Sequence, residues 1–459
     1  MPETTAPQLP PPAPSLWLTE YGEYDASQPL RGEVSVDVAV IGGGLTGMAT
    51  ALALKGRDRS LKVALLEART VGYGASGRNG SFAMTVVGLG FATTAMLRGK
   101  DFLREAHRYM ERCVDELERF IDTSRIECEK TRPGFLRVAT TPSYVKRLRK
   151  QVELMSSLGF EGISWIDAGQ TRALVDSERY LGAMREERLV LINPARLVRE
   201  EKRLAVAQGV QVYEHSPVLA LANNDGVHRL LTPAGSVSAL KLVFATNAYS
   251  HLFAPLARKQ VPAFTYMVAT APLTDAQLAP IGWRGGEGIE DARNLIHYYR
   301  LTADRRIVLG GGPVGLTANG SLDRDRDEQA FRHLEAHLRW LWPHLADVEI
   351  SHRWGGPFSV TLDLTPALGY LGEDRTAVYA LGCIGHGVSM SYLNGQVLAE
   401  LLLGHADGRA LAGECPFVNR NVVPWPREPV ASLAEHAIRG YLRAEDAFYE
   451  ELLARVKRG

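Results

Sequence analysis

The sequence predicts two kinds of architecture in one chain: an α/β, Rossmann-like unit near its start, and an α+β region built on an antiparallel sheet further on. Three observations predict this. A strand, a glycine turn, a helix and a second strand succeed one another over residues 36–67. Aromatic and β-branched runs fill 262–312, and a strand followed by glycines and a helix fills 378–404. The chain has 459 residues, 46% hydrophobic and 23% charged, enough for about two or three structural units.

Composition excludes some partners. Lysine plus arginine number 52, as do aspartate plus glutamate, so no general basic field exists to attract phosphate backbones or anionic lipid. Nucleic acid is not expected. Cys113, Cys128, Cys383 and Cys415 are too scattered for a disulfide framework and lack the CxxC spacing of metal ligands. A reducing cytoplasm is expected, and no metal. The proline-dense start, MPETTAPQLPPPAPS, has neither a basic n-region nor an apolar h-region, so it is not read as a secretory signal. It is expected to be extended up to Trp17, whose large apolar surface would anchor the segment on the body.

The uncharged stretch Val38–Leu54 approaches the length of a membrane helix, but Gly42, Gly43, Gly44 and Gly47 interrupt it. Val36–Ile41 is β-branched and Leu45–Leu54 helix-forming, so the segment reads as strand, tight turn and helix, with no membrane span. Gly42, Gly44 and Gly47 form GxGxxG, and a second strand ends at Glu67, about twenty residues on, where a carboxylate accepts from the hydroxyls of an adenosine ribose. The first glycine permits the turn, the second lets backbone approach a pyrophosphate, and the third lets helix and strand pack closely. The helix N-terminus offers unpaired N–H groups and the positive end of its dipole. A bound dinucleotide follows. The fingerprint does not separate NAD from FAD, which share the ADP half.

The next run, ARTVGYGASGRNGSF, is too polar for core and too glycine-rich for helix; it is a loop that brings backbone close to a ligand. Here the chain resembles the FAD-dependent amine and amino-acid oxidases of the D-amino-acid oxidase superfamily, which includes sarcosine and glycine oxidases. GASGRNG looks most like the γ-glutamylputrescine oxidase branch. The resemblance implies a fold in which an α/β FAD-binding (Rossmann-like) domain (34–90, 187–250 and 352–405) is interleaved with an α+β substrate domain (91–186 and 251–351). Residues 1–33 would be an extension, and 406–459, beyond the resemblance, read as a charged, amphipathic helical tail that docks on the body or on another subunit, plain packing being favoured.

It also implies the site. Gly42, Gly44, Leu45, Thr46, Gly47, Glu67, Ala68 and Arg69 would hold the ADP half, and Gly74, Ala75, Ser76, Gly77, Arg78, Asn79 and Gly80 would run along the flavin. Val218 would touch the adenine side, with Ala245, Thr246 and Asn247 crowding the cofactor after the strand LKLVF. Gly382, Gly385, His386, Gly387 and Val388 would carry a helix N-terminus to the pyrimidine end of the ring, where positive potential favours the anionic reduced flavin.

The antiparallel sheet would roof the flavin, making Tyr266, Met267, His297, Tyr299 and Arg300 candidates for the substrate wall, together with Trp354 and His386. Period-two alternation lets only some of them face inward, and a tyrosine or histidine on such a sheet is more often packing. Two departures matter. No cysteine lies between Cys128 and Cys383, where sarcosine oxidase attaches its flavin, so FAD is expected to be non-covalent. Ser389 stands where sarcosine oxidase has a lysine for the substrate carboxylate, which favours an amine or another anionic group, with Arg78, Arg300 and Arg353 as replacement anion binders.

The implied reaction is oxidation of a primary or secondary amine or amino-acid derivative. A hydride passes to flavin N5 and the imine hydrolyses, with oxygen as the expected acceptor and hydrogen peroxide as product. The alternatives are an acceptor-linked FAD amino-acid dehydrogenase, a protein whose FAD is structural, and a colourless NAD-dependent dehydrogenase.

Overall fold

A computed structural model of the chain describes residue 9 and residues 15–88, 90–317, 320–404 and 411–456. Most of the proline-dense start, and positions 405–410 and 457–459 of the tail, lie outside the described residues.

The first sheet is parallel at its centre. Its strands run in the order Ala377–Leu381, Gly235–Phe244, Gly32–Ile41, Val63–Leu66 and Gln211–Tyr213, all parallel, with Ala367–Leu371 antiparallel on the outer edge. Val38, Val40, Val63, Leu65 and Val243 are fully buried because helices cover the sheet, as continuous apolar runs in parallel strands require. Leu45–Arg57 packs against Gly387–Leu403 in one shared core. Pro194–Ala207 begins with proline in its first turn under an Asn193 cap, whose Oδ1 accepts from the Arg196 N–H at 3.2 Å.

The second sheet has eight strands, ordered Ile350–Val360, Val261–Thr270, Ile307–Leu316, His297–Leu301, Gly288–Asp291, Phe135–Val138, Gly182–Glu186 and Ile163–Asp167. Two features depart from expectation. The sheet is mixed rather than purely antiparallel, because Gly288–Asp291 and Phe135–Val138 pair in parallel, joining two segments distant in the chain. Ile350–Val360, which the expected boundary at 352 cuts, belongs to this sheet, where it pairs along the whole of Val261–Thr270. The chain reaches the first sheet again only at Ala367, since an eleven-residue strand already satisfied by one partner has no reason to change sheets midway.

One face of this sheet is sealed by Glu328–Leu341, through Phe331, Leu334 and Leu338. The other faces the first domain. Trp17 anchors the N-terminal segment as its apolar bulk suggests: it is buried with Leu16, Met267 and Trp354, and its Nε1 donates to the Asn79 carbonyl at 2.9 Å. The tail folds as Val430–Val456. Its Asp446 accepts from the backbone N–H groups of Asn294 and Leu295 and from the Tyr144 hydroxyl, tying the tail to the loop after Asp291.

Candidate active site

A cavity of about 1260 Å³ lies between the two sheets. Its floor is the end of the first strand. Gly42 turns the chain at φ +110°, where a Cβ would sit 2.5 Å from the Ala245 carbonyl oxygen. A Cβ on Gly47 would sit 1.9 Å from the Gly42 oxygen. Turn, helix and neighbouring strand therefore meet without side chains between them, leaving backbone open to a ligand. Glu67 accepts from the Gly43 N–H at 2.7 Å and the Arg69 N–H at 2.9 Å. Burial pushes its carboxyl up to about 7 against the pull of those two donors.

Gly42, Gly44, Leu45, Thr46, Glu67, Ala68, Val218, Ala245, Thr246 and Asn247 all line this end. Gly47 and Arg69 do not. Gly47 acts through packing, and Arg69 donates to the carbonyl of Leu9, which does line the cavity.

The loop Gly74–Gly80 continues the wall. Ser76 Oγ accepts from the Leu45 N–H at 3.0 Å, binding the loop to the helix N-terminus. Asn79 braces it from within by donating to the Ala75 carbonyl at 3.1 Å. Ser15 and Trp354 clamp it from behind, donating to the carbonyls of Gly77 and Arg78. Gly77 is held behind this wall rather than lining it. Arg78 lies over the Tyr73 ring and bonds Asp325 at 2.6 Å, with side-chain exposures of 1% and 10% for the two. Asp325 matches its charge, and the side chain still lines the cavity.

The far end is built by the turn after Ala377–Leu381. Gly385, His386, Gly387 and Val388 line the cavity, whereas Gly382 serves the turn, its N–H donating to Ser359 Oγ at 2.8 Å. His386 occupies the N-cap of Gly387–Leu403, and burial lowers its imidazole to about 4, so it is neutral at physiological pH. Ser389 both accepts from and donates to the Met84 backbone, so it offers nothing to a substrate. Cys383 lines the cavity with its thiol pushed up by burial and donating to Asn247 Oδ1 at 3.3 Å. It is a thiol, not a thiolate.

The sheet wall corrects the aromatic candidates. Residues paired directly across neighbouring strands share a face, and one such row runs Trp354, Met267, Gly310, Tyr298, Glu290, Arg137. Tyr298, Glu290 and Arg137 line the cavity. Trp354 and Met267 are covered by Leu16 and Trp17 instead. Tyr266 and Tyr299 sit on the opposite face: Tyr266 packs on Phe331, and the Tyr299 hydroxyl bonds that of Tyr180 at 2.8 Å. Arg300 lies beneath Trp17 and donates to the Ile192 carbonyl, and burial lowers it to about 10. Arg353 pairs with Glu335 at 2.7 Å outside the cavity. His297 is held between Asp291 and His333, each at 2.9 Å, and stacks on His337.

None of these corrected residues lines the cavity except Arg78. Sequence reasoning had the right strand in His297–Leu301 and named residues of both parities on it, His297 and Tyr299 on one face and Arg300 on the other, but not Tyr298. It missed Tyr298, Thr265, Arg137 and Glu290, because alternation along one strand does not say which of its faces is covered. Loop and wall meet where a Cβ on Gly80 would fall 2.6 Å from the Tyr298 ring, so the cavity is one continuous space.

The family profile described as DAO, FAD dependent oxidoreductase, matches residues 37–401. This chain belongs to the DAO family. It is similar to the γ-glutamylputrescine oxidoreductase of Escherichia coli (strain K12), 32% identical over 398 residues, covering 86% of this chain and 89% of that protein. It is also similar to the glycine oxidase of Bacillus licheniformis, at 24% over 381 residues, covering 80% and 93%. The crystal structure of glycine oxidase from Geobacillus kaustophilus shares the fold, with a TM-score of 0.70 at 21% identity, over 85% of this chain and 100% of that one. As a DAO-family member the chain is an FAD-dependent oxidoreductase. The glycine cradle, the Glu67 carboxylate and the volume of the cavity fit that cofactor. No helix among the described residues is long and apolar enough to cross a membrane.

Proposed function

We propose that the chain oxidises a primary or secondary amine, or an amino-acid derivative, to an imine that water hydrolyses, with oxygen accepting the electrons and leaving as hydrogen peroxide. One observation carries this reading: a single cavity joins the dinucleotide cradle to a wall holding Tyr298, Glu290, Arg137 and His386, in a chain 32% identical to an oxidoreductase named for γ-glutamylputrescine. FAD, when bound, would supply the oxidising power as acceptor of a hydride from the carbon that bears nitrogen, the C–H bond being exchanged for C=N.

The protein supplies the rest. The Gly42–Gly47 turn, Glu67, Val218 and Ala245–Asn247 would hold the ADP half, and the 74–80 loop with Gly385–Val388 the flavin end, without a covalent bond. The neutral His386 adds no competing charge, and the apolar surroundings favour the uncharged, reactive amine over its ammonium form. Positioning then does most of the catalytic work.

The experiment is an absorbance scan of the purified protein from about 300 to 550 nm, repeated anaerobically with amines, N-alkyl amino acids and γ-glutamyl-amines. Bands near roughly 375 and 450 nm that one class bleaches, with peroxide formed on admitting air, are expected. Bleaching without peroxide would replace oxygen by another acceptor, and a yellow protein that no amine bleaches would overturn the reading.

A second expectation concerns cofactor affinity. The ionised form of Glu67 is the one that accepts from two ribose hydroxyls, and its carboxyl sits at about 7. FAD affinity of the apoprotein is therefore expected to fall as pH drops through about 7, by up to roughly tenfold per unit below it. Glu67→Gln should bind FAD more weakly and lose that slope. Quenching of flavin fluorescence on titration measures both.

A further inference from the structure

The tail helix Val430–Val456 lies beyond residues 37–401, which the family profile matches, yet it takes hold of the cavity wall. The point of contact is the loop 292–296, which joins the strands Gly288–Asp291 and His297–Leu301 and lines the cavity with every one of its residues. A loop outside the strand ladder must find partners for its backbone N–H groups elsewhere. Two carboxylates supply them. Asp291 accepts from the Arg293 N–H at 3.2 Å and the His297 N–H at 3.1 Å, at the base of the loop. Asp446 accepts from the Asn294 N–H at 2.9 Å and the Leu295 N–H at 3.0 Å, from the tail.

Side chains repeat the link. Asn294 donates to Glu445 at 2.9 Å and accepts from Arg147 at 2.8 Å, while the Tyr144 hydroxyl donates to Asp446 at 3.2 Å. Tyr144, Arg147, Leu148 and Gln151 share one face of the helix Pro142–Ser157 through their spacing of three and four residues, and the last three of them line the cavity. Tail, helix and loop are thus one hydrogen-bonded unit with the buried Asp446 at its centre. Neither Glu445 nor Asp446 lines the cavity, so the tail acts through the loop. Leu148, Leu295 and Ile296 make part of the surface held in this way apolar.

We propose that Asp446 is a positioning residue for the substrate: by fixing the backbone at Asn294 and Leu295, the C-terminal helix sets an apolar wall against which the carbon chain of the amine lies, and so decides how long a chain is bound. The class selected is amines that carry an unbranched apolar chain beyond the reacting carbon. This inference rests on the amine-oxidising reading of the same cavity.

The test uses the full-length holoenzyme and two readouts. Hydrogen–deuterium exchange over 292–297 reports the loop itself, and Asp446→Ala is expected to speed exchange of the Asn294 and Leu295 amides by about tenfold or more. The second readout is anaerobic flavin reduction by ethylamine, butylamine, hexylamine and octylamine, with binding followed by the perturbation of flavin absorbance. In wild type, each methylene that reaches the wall is expected to tighten binding by about three- to fourfold. Asp446→Ala should flatten that gradient, raising KM for hexylamine and octylamine by about five- to tenfold while leaving ethylamine, kcat and flavin content unchanged. Asp446→Asn keeps one accepting oxygen but turns an N–H toward the other donor, so it should fall between the two. Tyr441→Ala, an exposed position on the same helix, should match wild type throughout.

Equal exchange of the two amides in wild type and Asp446→Ala overturns the proposal, as does a KM raised equally for ethylamine and octylamine, which a merely structural role would give. If Asp446→Ala does not fold, Asp446→Asn carries the same expectation at a smaller size. The two readings fail separately. If amines bleach the flavin with the same length dependence in wild type and variant, only the present proposal falls. If none bleaches it while loop exchange and the absorbance change with hexylamine still depend on Asp446, the amine-oxidising reading falls and the tail's hold on the wall stands.

Discussion

Gly47→Ala is expected to give a destabilised protein that is purified without flavin colour, while Gly56→Ala, nine residues further along the same helix, is expected to be yellow and slightly more stable. The added methyl on Gly47 would lie 1.9 Å from the Gly42 carbonyl oxygen and 3.4 Å from the Ala245 side chain, whereas nothing lies within 4 Å of a Cβ on Gly56. At Gly47 the obstacle is backbone, which cannot rotate aside. The helix must instead lift away from the turn, at a cost of about 1–3 kcal/mol or more. Lifting it also moves the N-terminal N–H groups from where a pyrophosphate would sit, so cofactor is lost along with stability. At Gly56 the exchange removes only the entropic cost of glycine in a helix, a gain of roughly 0.5–1 kcal/mol. Denaturant melts and the ratio of 450 nm to 280 nm absorbance measure both effects. A yellow, fully stable Gly47→Ala would mean that helix and turn are not packed as described.

The second large effect is expected at the buried bridge between Arg78 and Asp325. Arg78→Met leaves the Asp325 carboxylate, 10% exposed, without its cation. Removing one partner of such a pair costs about 3–5 kcal/mol, far more than the pair's own net worth. Because Arg78 also bonds the Gly355 carbonyl and lies over Tyr73, its loss frees the loop that follows Glu67. Weaker flavin retention is expected together with a lower melting temperature. The combined Arg78→Met and Asp325→Leu protein, which carries no orphaned charge, should recover most of the stability but not all of the flavin affinity. Stability unchanged in Arg78→Met would show that Asp325 finds another donor.

These two sites differ in how far the sequence discloses them. Gly42, Gly44, Gly47 and Glu67 are spaced by the local geometry of one strand, one turn and one helix, so the motif carries its own structure. Arg78 is legible as a loop residue close to the cofactor, but Asp325 lies far along the chain and nothing local links them. The substrate wall is a harder case. The run HYYRL predicts a strand, and the structure has one at His297–Leu301, yet a strand with polar or aromatic side chains on both faces does not say which face is inward. Tyr299 rather than Tyr298 was the natural choice only while the helix Glu328–Leu341 had no assigned side. Once that helix covers Tyr266 and Tyr299, the other parity must line the cavity, and with it Arg137 and Glu290.

The sequence by itself determined the dinucleotide cradle, the resemblance to FAD-dependent oxidoreductases, the strands and helices around both, and the anchoring of Trp17, because each rests on spacings of a few residues or on the apolar bulk of one side chain. Only the tertiary structure decided that Ile350–Val360 joins the second sheet, that a parallel pair interrupts it, that Arg78, Arg300 and Arg353 are already engaged, and which side chains face the cavity. Those outcomes depend on what packs against each face of a strand, and a single strand's alternation is symmetric until the rest of the chain covers one side.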